Sequence, residues 1–381
     1  MKLSFDSECS FAPQSRGGGA ANDLHEMSFV RNAWYVAGWS RDFGEPLRAM
    51  EILGQRLVMY RASDGTVTAL EDRCPHRLLP LSKGKRIGDT IQCGYHGMTF
   101  DGAGNCVRVP GQDNTPKSAF VEAFPVEERH DIVWVWMGDP DLADPAQIFD
   151  MPEFTSPDWH AHQGEALHIE AHYLNVAENL VDPAHVSFVH PTTLGSAASE
   201  NVPVHVSTGG DVITAWRWIR DAPPVGFFQK FGGFNGHVDR WHYYHLHLPS
   251  TAVIDFGSIA TAENCAEDDR NRGVRIFALH FVTPVNEDRT IDHWMHLRNS
   301  ALGDEEASAQ MDAMFNVAFA EDKAVLEAVH ENEKRPQRRR PIRIAIDKGP
   351  NVYRKRIRDL VAAESTEDLG AAEGASFVHH D

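Results

Sequence analysis

Four metal-ligating side chains sit close together in the stretch CPHRLLPLSKGKRIGDTIQCGYHG, residues 74–97: Cys74, His76, Cys93 and His96. Each of two short loops, Cys74-Pro-His76 and Cys93-Gly-Tyr-His96, supplies one thiolate and one imidazole, with sixteen residues between the pairs. A zinc finger usually keeps its cysteines in one knuckle and its histidines on a helix. Here the pairing is mixed within each loop, and no helical pattern carries the histidines. Mixed pairing suits a two-iron cluster in which both cysteines hold one iron and both histidines the other. Neutral imidazole in place of thiolate lowers the negative charge on such a cluster and raises its potential. Gly94 and Gly97 allow the backbone to approach closely, with N–H groups near the sulfides. A zinc ribbon of unusual spacing is the alternative the motif leaves open.

A second constellation lies in ENLVDPAHVSFVH, residues 178–190, which carries Asn179, Asp182, His185 and His190. His185 and His190 are five apart, about 140° around an ideal helix, and converge only if the helix is distorted. A local π-turn, or a helix that ends before Pro191, would bring both rings to one metal. Pro183 adds an irregularity by removing a backbone donor. Two unrelated histidines on an amphipathic helix is the plain reading. Periodicity offers a third ligand. In a long helical pattern from Asp304 to about Glu333, the residues Met311, Met314, Phe315, Ala318, Phe319, Val325, Leu326 and Val329 define an apolar stripe. Asp322 falls on that stripe, where a carboxylate is costly unless paired with an arginine or bound to a metal. Its neighbours Glu321 and Lys323 read as surface charge. Two histidines and one carboxylate with open positions make the facial set of a mononuclear non-haem Fe(II) that activates O₂, for which the cluster is an electron source.

The elements that must position these groups fall into two blocks. From Ser28 to about Gly138 the runs AWYVAGW, RLVMYRA and TVTALED read as short strands, with Asp64-Gly65 as a hairpin turn and DGAGN (101–105) as another break. The Pro- and Asp-rich segment 138–154 reads as a linker. Beyond it EALHIEAHYL, VPVHVSTGGDVITAWRWI, WHYYHLHLPS, TAVIDFGSIATA, VRIFALHFVTP and TIDHWMHLRNS read as strands, interrupted by the two helical patterns. Strands with segregated helices make an α+β chain. The expected organisation is a flexible leader at 1–26, a cluster domain at 27–140, a catalytic domain at 141–362 and a flexible tail at 363–381.

The spacing CxH, sixteen residues, CxxH resembles the Rieske [2Fe-2S] signature, complete at all four positions. With NLVDPAHVSFVH and the later AEDKAVLEA, the chain resembles the terminal oxygenase component of Rieske non-haem iron oxygenases, in the branch of vanillate and dicamba O-demethylases. The resemblance spans nearly the whole chain outside the tails. It implies a Rieske β-domain followed by a helix-grip domain, a curved antiparallel sheet wrapped on a long helix. His185, His190 and Asp322 match the iron ligands. Asp182 matches an acidic residue that bridges a Rieske histidine of one subunit to an iron-binding histidine of its neighbour, and Asn179 a polar side chain near the iron. Pro183 is less typical of the pattern. The resemblance further implies a head-to-tail homotrimer and oxidative demethylation of a small aromatic methyl ether. Ring hydroxylation or dihydroxylation at the same iron is the nearest alternative. A non-enzymatic electron carrier or a zinc-stabilised module is the alternative of another class.

The net charge of −19 argues against nucleic acid or an anionic membrane as the main partner. No apolar run reaches spanning length, and the N-terminus lacks a signal-peptide core, so a soluble cytoplasmic protein is expected. The five cysteines, Cys9, Cys74, Cys93, Cys106 and Cys265, do not form a disulfide pattern. No GxGxxG follows a strand and opens a helix, so electrons from NAD(P)H must come through a separate reductase, with or without a ferredoxin. The basic stretches 334–343 and 354–358 read as solvated helix ends or, around Arg338–Arg340, as a docking patch for an acidic redox partner. Of the remaining histidines, His168 and His172 read as a solvated strand face. His242, His245, His247 and His280 read as core or pocket-wall histidines.

Overall fold

The computed structural model describes residues 29–339 and 341–375, so the expected leader, Cys9 and Arg340 lie outside the described residues. The first block is all β. Trp34–Trp39 pairs with Ile132–Trp136, which pairs with Val126–Arg129. Arg48–Ile52, Gln55–Arg61, Val67–Glu71 and Ala123–Phe124 form a second sheet. A third, Lys85–Ile87, Thr90–Gln92, Thr99–Phe100 and Cys106–Arg108, carries the cluster loops. The turn at Asp64-Gly65 forms as its residues dictate: Gly65 has φ 91°, and Asp64 Oδ1 accepts the Thr66 N–H at 2.9 Å.

The second block is built on an eight-stranded antiparallel sheet in the order His160–Gln163, Arg289–Arg298, Val274–Asn286, Thr251–Ala260, Val238–His247, Val212–Ala222, His205–Gly209, with Leu167–Ile169 also on Arg289–Arg298. Its helices are α1 (Tyr173–Asn179), α2 (Val186–Val189), α3 (Gly226–Phe231), α4 (Glu305–Glu333) and α5 (Lys348–Ala375). On the inner face Ile254, Phe256, Ala278 and Trp294 pack against Met311, Phe315 and Phe319 of α4. On the outer face Val253, Phe277, Leu279 and Met295 pack against Trp34, Trp134 and Trp136 of the first block. Burial on both faces explains the unbroken apolar run IVWVWM and the largely apolar IFALHFV. In the first of these, Val133 and Val135 join one core while Ile132, Trp134 and Trp136 join the other. Asp304 caps α4 by accepting the Ala307 N–H at 3.0 Å, a contact worth about 1 kcal/mol.

Several sequence expectations change. The segment 138–154 is no free linker: it forms three 3₁₀ turns, and Ile148 is buried against the outer face. EALHIEAHYL is a strand only at Leu167–Ile169; His172 is buried and N-caps α1, accepting the Leu174 N–H. Helix α5 continues to Ala375, past the expected start of a tail at 363. Val325 and Val329 are 43% and 44% exposed rather than on the buried stripe. They stand about 100° back from Leu326 and His330, which are buried, so the inward face of α4 is narrower than the apolar pattern. The basic stretch at 354–358 is partly interior, because Arg354 pairs with Glu178 of α1.

Candidate active site

The two cluster loops close on themselves through the Leu78 N–H to Cys74 carbonyl (2.9 Å) and Cys93 N–H to Met98 carbonyl (2.7 Å) bonds. The hairpin Lys85–Ile87 with Thr90–Gln92 brings them together. Gly97 has φ 75°, and a Cβ on Gly94 would meet the Lys83 carbonyl at 2.9 Å, so both glycines serve the tight approach. Cys74 and Cys93 are buried in a small core of their own, with His76 and His96 exposed above, ring centroids 4.5 Å apart. Burial, and then the nearby Cys93, pushes the Cys74 thiol up, a cost that ligation as thiolate would remove. His96 is held below its ordinary value by desolvation and then by His76, which keeps it neutral as a ligand must be. Paired thiols below and paired imidazoles above fit the mixed-ligand cluster.

The expected helix over 178–190 is two helices. α1 ends at Asn179, and Pro183, lacking an N–H, lies in the turn before α2. His190 is the C-cap of α2 at φ −115°, because a residue before proline is driven out of the α region. The break resolves the 140° problem. Nε2 of His185 lies 3.5 Å from Asp322 Oδ1, and Nε2 of His190 lies 3.2 Å from Asp322 Oδ2. One donor atom from each of the three residues lies within 4.8 Å of the others.

The hydrogen bonds around this set decide how it can be used. His185 Nδ1 donates to the Asp182 carbonyl at 2.5 Å, and His190 Nδ1 donates to Glu321 Oε2 at 2.8 Å. Each ring therefore spends its Nδ1 proton on an outer partner and points Nε2 at Asp322, the nitrogen that a metal would take in place of a proton. Asn179 Nδ2 donates to Asp322 Oδ1 at 3.0 Å. Burial alone would raise the Asp322 carboxyl, but His190, His185 and Asn179 hold it below its ordinary value. Burial lowers His185 and raises Asp182. The set fits an Fe(II) held by three protein donors.

Sequence reading missed Glu321, which it placed on the surface. Glutamine at position 321 should keep the hydrogen bond but lose its charge, and alanine should lose both. We expect Glu321→Ala to weaken iron binding about 10- to 100-fold and Glu321→Gln by less, read by iron content after dialysis against a chelator. Equal retention in all three proteins would remove Glu321 from the site.

The donor set opens onto a narrow cavity lined by Leu194, Phe228, His242, Tyr244, Ile254, Phe256, His280, Phe315 and Phe319. Strand alternation puts His242 and Tyr244 inside, and His245 and His247 on the other face. His280 bonds Asp292 at 2.7 Å and packs on Phe319. A more open cleft of about 660 Å³ at Arg41, His130, His162 and Asp312 holds neither constellation.

Residues 33–125 match the Rieske [2Fe-2S] domain, and residues 169–363 match the vanillate O-demethylase oxygenase C-terminal domain. A toluene-4-sulfonate monooxygenase system iron-sulfur subunit of Comamonas testosteroni is 36% identical, over 88% of this chain and 98% of its own. The dicamba O-demethylase oxygenase component of Stenotrophomonas maltophilia is 35% identical, over 80% and 88%. The crystal structure of dicamba monooxygenase bound to 3,6-dichlorosalicylic acid superposes with a TM-score of 0.80 at 31% identity, covering 89% of this chain and 99% of that one. With a Rieske domain, a catalytic sheet and two metal-fitted donor sets in that order, the chain belongs to the Rieske non-haem iron oxygenases, as an oxygenase component carrying a [2Fe-2S] cluster and a mononuclear iron.

Proposed function

We propose that the chain catalyses O₂-dependent oxidative O-demethylation of a small aromatic methyl ether. The observation that carries this reading is the opening of His185, His190 and Asp322 onto a cavity walled by Phe228, Phe256, Phe315 and Phe319. The cavity has about 50 Å³ of free room, so a substrate ring enters by moving aromatic side chains aside. Its related dicamba and vanillate enzymes are named for the same reaction. When bound, the iron supplies oxygen activation and the cluster supplies electrons one at a time. In this reading Cys74, His76, Cys93 and His96 hold the cluster, and His185, His190 and Asp322 hold the iron. Asn179 fixes the Asp322 carboxylate, and the phenylalanines exclude water. The methyl carbon gains one oxygen atom of O₂, and two electrons with two protons carry the other to water. The resulting hemiacetal collapses to formaldehyde and a phenol.

The cluster domain is taken as 27–140 and the catalytic domain as 141–362. Electrons come from NAD(P)H through a separate reductase in the cytoplasm. The working assembly in this reading is a head-to-tail trimer. Its support is that no hydrogen bond or ion pair joins His76 or His96 to Asp182 within the chain, among the described residues, while both cluster histidines are exposed.

A panel of aryl methyl ethers assayed with a surrogate reductase should show substrate-dependent O₂ uptake matched by formaldehyde. Uptake with a hydroxylated ring and no formaldehyde would instead assign ring hydroxylation.

A further inference from the structure

One side chain in the wall of the iron cavity is itself an electron-rich aromatic ring. Strand alternation points Tyr244 inward, between Ala215 and Ile254 on the two neighbouring strands. It is buried in the same core as Phe256 and Phe315. His185, His190 and Asp322 line that cavity with it. The free room of about 50 Å³ holds a few waters and no aromatic ring. With no substrate inside, the wall rings themselves therefore stand beside the donor set.

Among the described residues that line the cavity, Tyr244 is the one phenol. No methionine or cysteine lies there, the side chains on which oxidative damage ordinarily falls, and no tryptophan does. Phe228, Phe256, Phe315 and Phe319 lack the hydroxyl that feeds electron density into a ring. His280 is tied to Asp292 at 2.7 Å, and His185 and His190 turn a nitrogen to Asp322. Burial raises the Tyr244 hydroxyl above its ordinary value; Arg217 opposes this, and Asp322 and Asp182 add to it. The side chain is thus held as a protonated phenol, a ring open to oxidation rather than a phenolate ligand.

We infer that Tyr244 is a self-hydroxylation site: when O₂ is activated with no aromatic substrate in the cavity, its ring takes one oxygen atom and becomes a catechol. A ring C–H bond gives way to a C–OH bond carrying one atom of O₂. Two electrons delivered through the cluster, with two protons from solvent, carry the other atom to water. That stoichiometry is the one by which a substrate is oxygenated, so no further oxidant or reductant enters. The hydroxyl already on the ring directs attack to the carbon beside it, which is why the product is a catechol. Oxidation of this wall ring spares the imidazoles of His185 and His190 and leaves a more polar cavity. The inference rests on the oxygenase assignment and on the cavity wall, and not on which bond of a substrate is cleaved.

The test is uncoupled turnover of the iron-loaded holoenzyme under isotope-labelled O₂. A surrogate reductase and NADH supply electrons, catalase removes diffusible peroxide, and no aromatic compound is added. Turnover is followed until NADH consumption exceeds one cycle per chain, and the digested protein is then read by tandem mass spectrometry. One labelled oxygen atom should appear on the Tyr244 ring, with a positive quinone stain, and chelation of the iron beforehand should abolish both. Tyr244→Phe should lose the catechol and its stain. An unlabelled chain, label on His185, His190 or the phenylalanines in place of Tyr244, oxygen drawn from water, or a catechol that survives in Tyr244→Phe would each overturn the site. The wild-type experiment needs no variant to fold. Formaldehyde from the ether panel with no label on Tyr244 would sink this site and keep the demethylase. Label on Tyr244 with no formaldehyde from any ether would do the reverse.

Discussion

Asp322→Ala removes the mononuclear iron and substrate-dependent O₂ uptake while leaving the visible spectrum and acid-labile sulfide of the cluster at wild-type levels. The loss should exceed the ~10- to 100-fold that outer-sphere partners cost if Asp322 supplies a donor atom itself, as its place in the three-residue set offers. Among the described residues both Nε2 atoms face its carboxylate, at 3.2 and 3.5 Å, so removing it leaves two imidazoles without the third donor of the set. The fold should survive. Asp322 sits on α4 between Phe319 and Leu326, both buried, and alanine is the strongest helix former. The cluster loops belong to a separate small core around Leu81, Ile91 and Phe100. Iron per chain, sulfide per chain and O₂ uptake would be measured on the same sample. Retained iron with full turnover would take Asp322 out of the site.

The parts of this molecule legible in the sequence are those fixed by local chemistry or by a single period. Cys74, His76, Cys93 and His96 lie within one hairpin, so their convergence needs only the turn between Lys85–Ile87 and Thr90–Gln92. Asp322 stood out because a carboxylate broke an apolar 3.6-residue stripe. Glu321 was hidden by the same argument. It lies about 100° from Asp322 around α4, yet the imidazole of His190 is thick enough to touch both, one with each nitrogen. The break between α1 and α2 was foreshadowed by Pro183 and Pro191, but the direction in which it turned the rings depends on contacts with α4, which no local pattern encodes. Burial was misjudged where the two blocks meet. The Pro-rich segment 138–154 covers the outer face of the sheet, and its polar composition gave no sign of the surface awaiting it.

Asp182→Asn should keep both metals and substrate affinity yet lose coupled turnover by about 100-fold. Within the chain the iron side depends on the backbone of Asp182, whose carbonyl accepts His185 Nδ1 at 2.5 Å, and asparagine preserves that carbonyl. The side chain does something else. Its Oδ1 accepts the Ala184 N–H at 2.8 Å, which holds the turn and which an amide oxygen can also do. The second carboxylate oxygen makes no hydrogen bond among the described residues, and in asparagine it becomes an N–H₂ donor. If the cluster of one copy serves the iron of the next, that oxygen is the atom placed to accept an N–H from an exposed His76 or His96 of the neighbouring copy. The substitution sets donor against donor at that junction and removes the negative charge. The decisive readout is therefore single-turnover reoxidation of the pre-reduced cluster on mixing with substrate and O₂, followed by its visible absorbance. Slow reoxidation with normal iron, sulfide and substrate binding would locate the fault in the transfer between centres. Reoxidation at the wild-type rate would mean that electrons cross without Asp182, and the head-to-tail arrangement would lose its main physical argument.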